Sequence, residues 1–133
     1  MTAKIEELLQ RAEHKRRDFL LQNRRDAWRV INGPGDGAPA GLSVDKYGEY
    51  FVLNVRSSVS LQERDDWSKT LANFYIPAGV IQKTWAPKVA NSRSELAFGS
   101  FPASPIIIQE GSVKLLCELN SEMPTGLYLD LHE

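Results

Sequence analysis

Two periods of apolar and polar positions alternate along this chain, and the switches between them mark its elements. Ile5, Leu8, Leu9 and Ala12 recur at i, i+3, i+4 and i+7, and Phe19 and Leu20 renew the stripe after polar positions at Lys15 and Arg16. That spacing predicts a helix over residues 3–22. Glu7 with Arg11 and Glu13 with Arg17 fall in the favourable i,i+4 order, each pair contributing roughly 0.2–0.5 kcal/mol. From Trp28 the period shortens to two. Trp28 and Val30 predict one short strand, and Leu42, Ser43 and Val44 a second. Phe51, Leu53 and Val55 alternate with Val52, Asn54 and Arg56, so the strand over residues 49–55 has one strongly apolar face and one mixed face. The helical period returns at Trp67, Leu71, Phe74 and Tyr75, behind a capping box at Ser60 and Glu63 and ahead of Pro77 and Gly79, which end it. An aromatic stripe at helical spacing predicts core rather than a surface for stacking bases.

Residues 80–85 predict another strand, residues 105–110 and 112–119 a hairpin about Glu110-Gly111, and residues 126–130 a last short strand. Between the strands, residues 86–95 are polar and aperiodic, which predicts an exposed loop. The order predicts an α+β domain: a small, mainly antiparallel sheet of β-β-α-β-β order, a helix packed on one face, and a basic N-terminal helix ahead of it.

The stretch over residues 32–48 organises the middle of the chain. Gly33-Pro34-Gly35-Asp36-Gly37 and Pro39-Ala40-Gly41 supply left-handed-permissive and fixed-φ positions, so the backbone bends tightly before it extends. Asp45-Lys46-Tyr47-Gly48 then reads as a hairpin loop, with Asp45 bonding back to the loop and Gly48 left-handed. A phosphate cradle would need the glycines to lead into a helix N-terminus, and neither nucleotide-loop motif is present. Here they lead into a strand, so the stretch reads as structural.

Charge changes the picture through its distribution. The net charge is −1, yet residues 1–32 hold eight Lys/Arg against five Asp/Glu, leaving eight against twelve in the remainder. Arg11, Lys15, Arg16, Arg17, Arg24, Arg25 and Arg29 therefore form either a phosphate-contacting face or a solvated, salt-bridged one. Lys88 and Arg93 are two further candidates in the expected loop. Cys117 is the single cysteine, which excludes an internal disulfide and any multi-cysteine metal site. Val113, Leu115 and Leu119 share its strand face, an inert setting for a thiol. His14 and His132 have no nucleophile or carboxylate spaced to serve them, which argues against a self-contained hydrolase. There is no apolar leader and no apolar run near the roughly 18 residues of a membrane span, so the expected setting is cytoplasmic, without a membrane partner.

The order of motifs carries a resemblance. Asp26-Ala27-Trp28-Arg29-Val30-Ile31-Asn32, then Gly35-Asp36-Gly37, then Gly41-Leu42-Ser43-Val44-Asp45-Lys46-Tyr47-Gly48 resembles the region preceding the catalytic domain in bacterial S-adenosylmethionine-dependent methyltransferases of the 23S rRNA large-subunit cytosine type. Thr125-Gly126-Leu127-Tyr128-Leu129-Asp130 is similar to that family's entry into its methyltransferase domain. This chain has an extra residue in the turn before Gly41, Lys46 in place of the usual Arg, and Leu131 and His132 where the family has Gln and Arg.

The resemblance implies three parts: a basic helix (1–25), a substrate-side α+β domain (26–119), and a linker entering a methyltransferase domain (120–133). It implies RNA, most of all rRNA, as the partner of the parent enzyme and S-adenosylmethionine as the parent's cofactor. The fragment itself is expected to lack the cofactor-binding catalytic domain, to be inactive alone and to bind no cofactor. No catalytic residue or metal ligand is assigned to it; in particular, Cys117 matches no catalytic motif of the family. The alternative is a stand-alone RNA- or protein-binding module, and a homodimer through exposed apolar surface is a further expectation.

Overall fold

A computed structural model describes residues 2–23, 27–85, 93–102, 106–110 and 113–117. Helix α1 (Thr2–Asn23) leads into strand β1 (Ala27–Asn32) and one 3-10 turn (Gly33–Asp36). Strands β2 (Leu42–Tyr47) and β3 (Tyr50–Arg56), helix α2 (Leu61–Tyr75), and strands β4 (Gly79–Trp85) and β5 (Arg93–Gly99) follow. A hairpin of β6 (Ile106–Glu110) and β7 (Val113–Cys117) completes the described elements. The main sheet has the order β1-β2-β3-β4-β5, and β6-β7 forms a separate two-stranded sheet. Every neighbouring pair in the main sheet is antiparallel except β3 and β4, which run parallel because α2 crosses between them. The fold is therefore the expected α+β domain, mostly antiparallel, with two helices.

Both helices cover one face of the sheet. Ile5, Leu8, Leu9 and Ala12 of α1 and Trp67 and Leu71 of α2 are buried in one core with Val44, Phe51, Leu53, Val55 and Val80. Phe74 and Tyr75 pack at its margin, and the Tyr75 ring lies 4.6 Å from Phe51. The aromatic stripe of α2 is core, as its spacing predicts. The Tyr75 hydroxyl is buried with no hydrogen-bond partner among the described residues, and burial, with the Glu13 charge, pushes its pKa up. At the start of α2 the Ser60 hydroxyl accepts from the Glu63 amide at 3.1 Å and donates to the Glu63 carboxylate at 3.1 Å, so the capping box forms. At its end Ile76, ahead of Pro77, adopts a left-handed conformation (φ 51°) that a β-branched residue rarely takes.

The register between β4 and β5 depends on two facing glycines. A Cβ on Gly79 would meet the Ser100 carbonyl, and one on Gly99 would meet the Ala78 carbonyl, so the strand ends approach closely only because both side chains are absent.

Three expectations need correction. Arg93 to Glu95, read as part of the exposed loop, form the start of β5. Asp45 does not sit in a hairpin loop bonding to its own backbone: β2 continues to Tyr47, only Gly48 and Glu49 make the turn, and Gly48 takes the left-handed position (φ 60°). The Glu7 and Arg11 pair forms at 2.7 Å, whereas Glu13 with Arg17 is not among the ion pairs of the described residues. The strand expected over residues 126–130 and most of the loop over 86–92 lie outside the described residues.

Candidate functional site

The cations singled out in the sequence divide between several settings. Arg11 and Arg17 are exposed on α1. Lys15 is exposed and reaches Asp36 at 3.2 Å. Arg16 turns inward instead and is buried. Its guanidinium donates to the Val30 carbonyl at 3.0 Å and to the Asp36 carboxylate at 2.9 Å. The reason lies in β1, whose pairing with β2 slips between Arg29 and Ile31 and leaves Val30 without a register partner. A bulged residue has lost its place in the ladder. Arg16 supplies a donor to that carbonyl and pins α1 to the turn that follows. Arg93 opens β5 opposite Thr84. Arg24, Arg25 and Lys88 lie outside the described residues.

Asp36 is the hub of this junction, also accepting from the Asn32 amide at 2.7 Å. Burial alone would raise its pKa. The hydrogen bonds from Arg16 and the Asn32 amide, the Arg16 charge and the Lys15 bond outweigh that and hold the carboxyl below its ordinary value.

The opposite face of the sheet carries no helix, and its strands present a different set of side chains. The bulge in β1 turns Arg29 onto this face beside Asp45, its register partner on β2. Arg29 Nε donates to Asp45 Oδ1 at 2.7 Å and Nη2 to Oδ2 at 3.2 Å, and the carboxylate of this forked pair also accepts from Asn54 Nδ2 at 3.0 Å. The Asn54 carbonyl oxygen in turn accepts from Trp85 Nε1 at 3.1 Å. The chain of bonds thus crosses β1, β2, β3 and β4.

Beside it, Lys83 is fully buried next to Asn54, and exposed Arg56 lies next to half-buried Trp85. These residues line a concave surface of about 580 Å³ whose charged groups are Arg29, Arg56 and Lys83 against Asp45. Toward the other end, Ala27, Tyr47, Val52 and Ile81 make a small apolar cluster with Tyr50 and Phe101 packed against it.

Of this network, sequence reasoning singled out Arg29 alone as a candidate contact. The signal for the rest was the mixed face of the strands, where Asn54, Arg56 and Lys83 occupy alternate positions opposite the apolar ones. Alternation shows that such residues share a face but not that they converge across strands.

Comparison with known proteins places this arrangement. Ribosomal RNA large subunit methyltransferase I of Escherichia coli O139:H28 is 31% identical over 130 residues, covering 92% of this chain and 32% of that protein. The Klebsiella pneumoniae protein of the same name is 29% identical over 133 residues, covering 97% of this chain and 33% of that protein. The chain spans about a third of the length of these curated relatives. Among solved structures, a candidate SAM-dependent methyltransferase from Streptococcus mutans superposes with a TM-score of 0.78 at 24% identity, over 98% of this chain and 34% of that one. A second candidate methyltransferase, solved in complex with SAH, gives 0.76 at 23% identity over 98% and 33%. The superpositions establish the fold. No protein-family profile matches the chain.

A nucleotide cofactor does not fit the single parallel crossover among the described residues. A dinucleotide-type site needs a glycine turn between strand and helix. Residues 56–60 contain no glycine, and Arg64 fills the turn by donating to the carbonyls of Val59 (2.9 Å), Arg56 (3.2 Å) and Ser57 (3.3 Å). Among the described residues there is no cluster of three metal-ligating side chains and no helix long and apolar enough to cross a membrane.

Proposed function

We propose that this chain is the substrate-side part of a SAM-dependent methyltransferase acting on large-subunit rRNA, holding RNA while cofactor and chemistry reside in a separate catalytic part. In this reading residues 1–25 and 26–119 are the RNA-side helix and domain, and residues 120–133 lead toward the catalytic domain. The observation that carries it is the alignment of more than nine-tenths of the chain with about a third of rRNA methyltransferase relatives. The finer assignment, to cytosine C5 in a cytoplasmic enzyme, is supported by the motif order over residues 26–48 and 125–130. S-adenosylmethionine would supply the methyl group to the full enzyme. The residues of this chain would contribute position and charge, with Arg11, Lys15 and Arg17 on the outer face of α1 and Arg24, Arg25, Lys88 and Arg93 as further RNA contacts. Arg16 serves this role indirectly, by fixing α1 in place.

The test is binding of the chain to structured large-subunit rRNA fragments across a salt series. Affinity should fall linearly with salt on logarithmic axes, and replacing Arg11, Lys15 and Arg17 with Ala should make that slope shallower by about 0.7–0.9 for every phosphate these side chains neutralise. Absence of binding at about 50 mM salt, where such electrostatic attraction is strong, would overturn the RNA reading.

A further inference from the structure

The helix-free face has a composition that the α1 surface lacks. Arg56 and Trp85 are register partners on parallel β3 and β4, so their side chains emerge side by side on this face, about 4.8 Å apart at the backbone. Arg56 is exposed, and its guanidinium has no hydrogen-bond or ion-pair partner among the described residues. The Trp85 indole is held by its bond to Asn54, which is itself fixed by the carboxylate that Arg29 clamps. An aromatic ring anchored at its edge and an unengaged cation beside it match the base and the phosphate of one nucleotide. Aromatic side chains on an open sheet face are a common platform for single-stranded RNA, because every base has a stackable face. The three cations lining the concavity against one carboxylate favour a polyanion over an apolar or acidic protein segment.

We propose that the helix-free face docks single-stranded RNA, with Arg56 on a phosphate, the Trp85 indole against a base, and the Arg29-Asp45-Asn54 chain as the rigid support that orients the ring. This rests on the RNA reading above and adds a second contact surface, on the side of the sheet away from α1.

The test is titration of the full chain with a short uridine-rich oligoribonucleotide, an abasic oligonucleotide of the same length and inorganic polyphosphate, read by tryptophan fluorescence and anisotropy. Trp28 and Trp67 are buried in the helix-side core, so a quench that disappears in Trp85→Phe reports this face. Expected are a quench with the oligoribonucleotide but not with polyphosphate, and weaker binding of the abasic strand. Trp85→Ala should weaken binding at least about fivefold, corresponding to the lower limit of about 1 kcal/mol for base stacking. Trp85→Phe should retain part of that affinity, and Arg56→Glu should weaken binding and lower the salt slope. Thermal melts identify any variant that fails to fold; Arg56, being exposed, carries the test in that case. If the chain binds rRNA but Trp85 and Arg56 variants bind as the parent does, while the α1 variant is impaired, this proposal is overturned and the RNA reading stands. Equal quenching by polyphosphate would show a charge site without base recognition and would also overturn it. No binding of any RNA would remove both.

Discussion

The two faces of the main sheet are built from the same strands and treated in opposite ways. On the helix side β2 and β3 contribute Leu42, Val44, Phe51, Leu53 and Val55, each at most 1% exposed, and two helices seal them. On the other side the intervening positions contribute Asp45, Asn54 and Arg56, bonded to one another or open to solvent. One side is held by apolar burial, which has no directional requirement and tolerates no void. The other is held by a chain of directional bonds, each of which fixes the next side chain. The contrast teaches where function has room. A sealed core can only support, whereas a polar face with a fixed network can meet a ligand without reorganising.

The largest effect separating the faces should come from Trp67→Ala, which opens a cavity beneath α2 and is expected to cost about 3–5 kcal/mol in urea unfolding. Arg16→Met tests the polar exception on the helix side: it removes the donor to Val30 and leaves Asp36 with Lys15 and the Asn32 amide, at an expected cost of about 3 kcal/mol. The same junction sets a pH dependence. Because folding lowers the Asp36 pKa, the native state binds fewer protons than the unfolded chain, so the contribution is present above about pH 4 and is lost as pH falls below it. Unfolding midpoints between pH 7 and 3 should show this loss in the parent and a shallower one in Asp36→Asn.

On the open face, Asp45→Asn breaks the forked pair with Arg29 and should cost about 1–2 kcal/mol, visible as a lower melting temperature. Arg56→Ala should be smallest, within about 0.5 kcal/mol, since an exposed side chain away from packing contributes little to stability. A stability loss at Arg56 as large as that at Trp67 would break the comparison.

Much of the fold was legible along the chain. Helical spacing located α1 and α2, the Ser60 and Glu63 box marked where α2 starts, and alternation located β2, β3 and β4. These signals are local, because side-chain direction repeats every 3.6 or 2 residues whatever the rest of the molecule does. The candidate site was less legible. Arg16 and Arg17 are adjacent in a basic run, yet one is buried and the other exposed, since only Arg16 continues the buried stripe of Ile5, Leu8, Leu9 and Ala12 toward the bulge at Val30. Strand β5 escaped notice because Arg93, Ser94 and Glu95 carry no apolar signal; its place at the sheet edge lets polar residues pair through the backbone.

By itself, then, the order of residues determined the element types, the apolar face of each and the turns that glycine and proline impose, since all of these depend on neighbours within a few positions. The tertiary structure alone decided that β3 and β4 run parallel, that a bulge at Val30 turns Arg29 toward Asp45, and that four strands bring Arg29, Asp45, Asn54 and Trp85 into one bonded line. Those outcomes depend on register, and register is set by how whole strands settle against one another to bury one face and satisfy the polar groups of the other.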